Sequence, residues 1–144
     1  MKLLIKRLHP DAVVPRYAFM GDAGADLVIV EGGLLEPGEA KDFAVGISVE
    51  PPLGYFFIIH PRSSTLRKRG LFVHVGIIDN GYRGPLYIYV RNDTKHTVFV
   101  EKGARLAQMI LLPFVQPVVE EVDELRDTDR GAAGFGSTGS GESR

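Results

Sequence analysis

"KDFAVGISVE", residues 41 to 50, decides the fold of this chain. Its apolar residues Phe43, Val45, Ile47 and Val49 recur at every second position, which places them together on one face of an extended backbone and scatters them around a helix. The stretch therefore reads as a half-buried strand. The same period recurs at "LYIYVR", where Leu86, Ile88 and Val90 alternate with Tyr87, Tyr89 and Arg91.

Working outward, further strand candidates are "LLIKRL", "ADLVIV", "GYFFIIH", "LFVHVGII", "TVFV" and "PFVQPVVEEV". They are separated by the turn-forming stretches "GG", "EPGE", "EPPLG", "NGYRGP" and "RNDTKH". About eight short strands at near-regular spacing predict an all-β sandwich, barrel or jelly roll. Two stretches stand apart. "SSTLRKRG" predicts two helical turns with Ser63 or Ser64 as N-cap and Gly70 as terminator, while "GARLAQMILL" is ambiguous between strand and helix.

At 144 residues the chain is long enough for one domain with a real core. A net charge of -1 creates no overall basic field for nucleic acid or anionic membrane, so a bound anion must be met locally. There is no cysteine, which excludes disulfides and thiolate metal sites. "MKLLIKRLHP" is too short in apolar residues for a signal-peptide core, and no run of about 18 apolar residues occurs, so a cytoplasmic protein is expected.

From about residue 120 the composition turns acidic and then glycine-rich, ending in "RGAAGFGSTG" at residues 130–139. Few apolar side chains remain there to offset ordering entropy, which predicts a barrel domain over 1–119 and a flexible arm over 120–144. Such a tail is either a solvated terminus or a closing flap. The order of residues favours the flap: glycine hinges, one ring at Phe135 to cover a flat ligand, and Arg130, Ser137 and Thr138 to grip an anion.

Three internal stretches carry candidate chemistry. In "HPRSSTLRKRG" a helix start beside Arg62 is suited to phosphate, although a capped surface turn with solvated cations explains the same residues. In "GIIDNGYRG" the chain runs apolar into Asp79 and then turns at Asn80-Gly81, which fixes an acid at a strand end; Asp79 is either a general base or a residue capping its own turn. "GDAGADL" brackets two small residues with Asp22 and Asp26, which suits a turn as well as a metal-facing carboxylate. Gln108 in "GARLAQM" needs a hydrogen-bond partner in either a core or a site.

In order along the chain, "AGADL", "PRSS", "GIIDNGYRG", "GARLAQM" and "RGAAGFGSTG" resemble the five motifs of the trimeric deoxyuridine triphosphate nucleotidohydrolases, the dUTPases. The resemblance implies an all-β, distorted jelly-roll β-barrel with a glycine-rich C-terminal arm. It also implies hydrolysis of dUTP to dUMP and pyrophosphate, which limits uracil in DNA and supplies dUMP for thymidylate synthesis. Asp79 would activate a water for in-line attack on the α-phosphorus. Arg62, Ser63, Ser64 and Gln108 would hold the phosphates, and Arg130, Gly136, Ser137 and Thr138 would close on them. Phe135 would stack on uracil, Tyr82 would pack under the deoxyribose, and backbone near Gly76, Ile77, Ile78 and Tyr87 would read the base.

Mg2+ is implied as an ion carried by the phosphates, with no direct protein ligand and Asp26 as a contact through water. The resemblance further implies a homotrimer with sites between subunits, acting on dUTP, with no direct nucleic-acid or membrane partner. The chain departs from the motif pattern in two places. It is short between "RGL" and "GIID", where Val73 and His74 stand in place of an asparagine, and it has Ala133 where a glycine is usual. The related dCTP deaminases are expected to carry a glutamate where this chain has Tyr89, so deamination lacks its proton shuttle. A non-enzymatic jelly-roll protein would have no use for the tail or for Asp79.

Overall fold

A computed structural model describes residues 1–132 of the chain. Eleven strands and one short helix follow in order: β1 (Leu4–Arg7), β2 (Gly24–Val28), β3 (Gly33–Leu35), β4 (Ala40–Ala44), β5 (Ile47–Glu50), β6 (Tyr55–Pro61), α1 (Ser63–Arg69), β7 (Leu71–Val73), β8 (Gly76–Ile78), β9 (Tyr87–Asn92), β10 (Val98–Val100) and β11 (Arg105–Pro113). The strands form a four-stranded sheet β2-β11-β6-β8, a three-stranded sheet β4-β9-β7, and the pairs β1-β5 and β3-β10. Every pairing is antiparallel. The arrangement is all-β and of the jelly-roll class, with sheets that do not close into one continuous barrel.

The apolar face of the opening stretch is buried as its alternation predicts, but Ser48 on the predicted outer face is buried too, at 7% exposure, and the stretch is two strands and not one. Phe43, Val45, Ile47 and Val49 are all at most 5% exposed, while the chain bends at Gly46, where φ is 74°. A Cβ at Gly46 would lie 2.8 Å from Val30 and 2.9 Å from His9. The glycine therefore lets β4 pair with β9 while β5 leaves to pair with β1. "LFVHVGII" divides in the same way, β7 joining β9 and β8 joining β6. Leu27, Phe57, Leu71, Leu86, Ile88 and Leu106 fill the space between the sheets.

Two expectations are corrected. "PFVQPVVEEV" forms no strand beyond Pro113, and Val115, Val118 and Val119 are more than 89% exposed. Pro117 removes a ladder donor within it, and among the described residues no strand pairs with the segment. The helix over 63–69 forms, yet its N-cap is Arg62, in extended conformation and with no side-chain capping bond. Ser63 and Ser64 are its first two residues, and the predicted terminator Gly70 is left-handed at φ 63° with its N–H donating to the Leu66 carbonyl. "GARLAQMILL" resolves as strand β11.

Candidate active site

The first cluster sits where β2, β11 and β6 run side by side. Gln108 of β11 lies between Asp26 of β2 and His60 of β6 in register, and Arg62 follows the end of β6. Arg62 Nε is 2.8 Å from Asp26 Oδ1, Arg62 Nη1 donates to the Arg105 carbonyl at 3.3 Å, and Arg105 Nη1 stands 3.7 Å from Asp26 Oδ2. One half-buried carboxylate thus holds two guanidiniums in place. Gln108 Nε2 donates to the Pro61 carbonyl at 3.4 Å, and its Oε1 lies over Gly24, 2.1 Å from where a Cβ would be.

Arg62, Ser63, Gln108 and Asp26 line one cleft of about 420 Å³ together with Gly24 and Phe19. Ser64 lines an adjoining depression of about 370 Å³ with Arg62, Arg69, Lys102 and Arg105. There Lys102 lies 2.5 Å from Asp11 and holds that carboxyl below its ordinary 3.8. A concave surface with this density of cations and hydroxyls is suited to a multiply charged anion. Asp22 is a turn residue, as one of its two readings has it: its carboxylate accepts the Phe19 N–H at 2.9 Å.

Sequence reasoning missed Arg105. Strict alternation puts residues 105 and 108 on opposite faces, but a bulge between Arg105 and Ala107 turns Leu106 and Ala107 both inward and brings Arg105 round to the side of Gln108. Nothing in "GARLAQM" announces a bulge.

The second cluster is the turn after β8. The Tyr82 N–H donates to the Asp79 carbonyl at 3.1 Å, closing the turn. Asn80 Nδ2 donates to the carbonyls of Pro52 at 2.9 Å and Tyr55 at 2.8 Å. Arg83 Nη1 donates to the carbonyls of Asn80 at 2.6 Å and Tyr82 at 2.9 Å. With these neighbours stabilising the turn, the Asp79 carboxylate is exposed and makes no hydrogen bond or ion pair among the described residues. Self-capping, one of its two readings, does not occur. Asp79 borders a groove of about 190 Å³ with Phe56, Ile77, Asn80 and Phe114, whose two phenylalanine rings meet edge to face at 6.2 Å.

Tyr82 Oη donates to the Pro85 carbonyl at 3.0 Å, and its ring lies against Gly84, so close that a Cβ there would be 2.3 Å from the hydroxyl. Gly76, Ile77 and Ile78 form β8, with Ile77 turned outward at 66% exposure. The register Val73↔Val90 is continued by the bond from the His74 N–H to the Tyr89 carbonyl, after which the chain leaves β9 and Gly76 pairs with Ile59 of β6. Arg130 follows in a turn near the end of the described chain, where the Gly131 N–H donates to the Thr128 carbonyl at 3.0 Å. Phe135, Gly136, Ser137 and Thr138 lie outside the described residues.

The two clusters are at opposite ends of β6. Phe57 pairs with Ile78, so Asp79 lies beyond one end of that register while Arg62 lies five residues along β6 in the other direction. At about 3.3 Å per residue the separation is about 20 Å, well beyond the reach of either side chain.

Among the described residues no group of three or more His, Cys, Asp and Glu could hold a metal, and no helix is long and apolar enough to cross a membrane. Fold and clusters together define a jelly-roll β protein that offers a cationic cleft and, elsewhere, an unpartnered carboxylate on a stabilised turn. A family model described as dUTPase matches residues 11–139, and the chain belongs to the dUTPase family. It is 44% identical over 142 residues to the deoxyuridine 5'-triphosphate nucleotidohydrolase of Thermobifida fusca, covering 96% of this chain and 79% of that one. With the enzyme of the same name from Clostridium kluyveri it shares 41% identity over 141 residues, covering 96% and 99% of the two chains. The dUTPase of Staphylococcus bacteriophage 80alpha, solved with dUPNHPP, superposes with a TM-score of 0.91 at 30% identity, covering 96% of this chain and 98% of that chain. A mutant dUTPase of phage phi11 of S. aureus, described as coordinating a structural Mg(II) ion, gives 0.84 at 26% identity, covering 88% and 100%.

Proposed function

We propose that this dUTP diphosphatase hydrolyses dUTP to dUMP and pyrophosphate by in-line attack of a water on the α-phosphorus, with Asp79 of one copy acting on nucleotide held by the Arg62 cluster of another. Family membership supports the substrate and the reaction. The observation that carries the two-copy arrangement is the separation of Asp79 from Arg62 along β6, which leaves each chain with two halves of a site that do not meet.

Asp79 is suited to be the base because its carboxylate has no competing partner among the described residues and its turn is tied down by Asn80 and Arg83. Arg62, Ser63, Ser64 and Gln108 bind and align the phosphates, and Asp26 holds Arg62 in readiness. Tyr82 packs under the deoxyribose, and backbone of Gly76, Ile77, Ile78 and Tyr87 reads uracil. Asp26, the one carboxylate of the phosphate cleft besides Asp22, would be the residue to contact a phosphate-borne Mg2+ through a water. The ion would neutralise charge on the triphosphate.

The arm from residue 120 onward closes the site with Arg130, Phe135, Gly136, Ser137 and Thr138. The exposed valines at 115, 118 and 119 support assembly into a homotrimer, since apolar side chains so placed need a neighbouring copy to cover them. The enzyme acts in the cytoplasm and contacts neither nucleic acid nor membrane directly.

Pyrophosphate release from dUTP in the presence of magnesium tests the reading. Asp79→Asn is expected to lose nearly all turnover while still binding nucleotide; undiminished turnover contradicts the assignment. Truncation after Asp129 is expected to leave a folded protein with much weaker catalysis, and full activity without the arm contradicts its closing role.

A further inference from the structure

Asp79 is one residue in a turn that other side chains hold. Asn80 Nδ2 reaches out of the turn to the Pro52 and Tyr55 carbonyls at 2.9 and 2.8 Å, with Pro51 at 3.5 Å. Those carbonyls belong to a second tight turn, closed by the Tyr55 N–H donating to Pro52 at 3.1 Å and bent at Gly54 with φ 78°. Arg83 adds a second set of ties, donating to the Asn80 and Tyr82 carbonyls while its Nε lies 3.5 Å from Glu50 of β5. One amide and one guanidinium thus tie the turn that carries Asp79 to one neighbouring stretch, Glu50 to Tyr55. Both side chains are polar groups bonded to backbone, which fixes direction more than it adds stability.

We propose that Asn80 and Arg83 are positioning residues that aim the Asp79 carboxylate. The proposal rests on Asp79 as base. Neither residue needs to touch nucleotide, so loss of either affects turnover and leaves binding as it is. A displacement of the order of 1 Å at a reacting group costs up to about 100-fold in rate. Asn80→Ala, which removes every bond from that side chain, is expected to lower kcat by about 10-fold or more.

The experiment measures kcat and KM for dUTP, and Kd for its imido analogue, in the full-length protein with magnesium. The variants are Asn80→Ala, Arg83→Met, Arg83→Lys and Asp79→Ala, with Asp79→Ala combined with Asn80→Ala. The proposal expects kcat to fall by about 10-fold in Asn80→Ala and Arg83→Met, with KM and Kd within about twofold of the parent, and partial recovery of kcat in Arg83→Lys. In the Asp79→Ala background there is no carboxylate to aim, so adding Asn80→Ala leaves the residual rate unchanged. Parent-like kcat in both Asn80→Ala and Arg83→Met overturns the proposal. So does an equal further loss from Asn80→Ala when Asp79 is already alanine. If Asn80→Ala does not fold, the Arg83 variants decide by the same criteria. Undiminished turnover in Asp79→Ala instead sinks the base assignment itself, whatever the other variants do.

Discussion

The side chain of Gln108 reaches over the backbone of Gly24: its Oε1 is 2.1 Å from the point a Cβ on residue 24 would occupy. The glycine of "AGADL" and the glutamine of "GARLAQM", far apart in sequence, therefore form one surface in the phosphate cleft. Gly24→Ala is expected to push Gln108 off that surface and raise KM for dUTP by about 10-fold, the worth of one good hydrogen bond to a charged group. Steady-state kinetics beside a far-ultraviolet circular dichroism spectrum checks it, with the spectrum unchanged.

Tyr82 and Gly84 make a second such pair. The ring rests where a side chain at 84 would otherwise be, with its hydroxyl bonded to the Pro85 carbonyl. Gly84→Ala forces the ring from its seat under the proposed deoxyribose site. The ratio of kcat/KM for UTP to that for dUTP is expected to rise about 10-fold, a change in discrimination that competing-substrate assays read directly.

Much of this was legible in the sequence, and the gaps have physical causes. Alternation found the buried faces of β4, β5 and β9 because a half-buried strand needs period two. It failed to see that one run becomes two strands at Gly46, since a bend between sheets leaves the same residues buried. The five motifs named Arg62, Gln108 and Asp79. Asn80, Arg83 and Arg105 went unassigned, because their roles depend on ties from a turn to the distant Glu50 to Tyr55 stretch and on a bulge, neither of which has a residue signature.

Asn92, fully buried at the end of β9, ties that strand to β3 and to the loop that follows it. Its Nδ2 donates to the Leu35 and His96 carbonyls at 2.9 and 2.8 Å, and its Oδ1 accepts from the N–H and hydroxyl of Thr94. Asn92→Ala removes all four bonds, including the buried one to the Leu35 carbonyl, and is expected to cost about 3 kcal/mol, measured by urea unfolding.

Acid sensitivity follows from three surface carboxyls. Lys102 holds Asp11, and Arg91 holds Asp93, below the ordinary 3.8, while a bond from the Glu36 N–H, then Lys41, holds Glu39 below 4.5. Because folding lowers these values, their contribution is fully present above the unfolded-state values and is lost as pH falls through the folded ones. Stability is therefore expected to be flat with respect to these groups above about pH 5 and to decline below pH 4.5. Lys102→Ala should return Asp11 toward 3.8 in a carboxyl titration followed by nuclear magnetic resonance.

The central claim is that Asp79 of one copy serves the Arg62 cluster of another, and mixing tests it most directly. Asp79→Asn and Arg62→Ala proteins, each inactive alone, are unfolded together in equal amounts and reassembled. Random assembly gives each site an intact Asp79 half of the time and an intact Arg62 half of the time, so dUTP hydrolysis should return to about one quarter of the parent rate. A reassembled mixture as inactive as its two components would contradict the account.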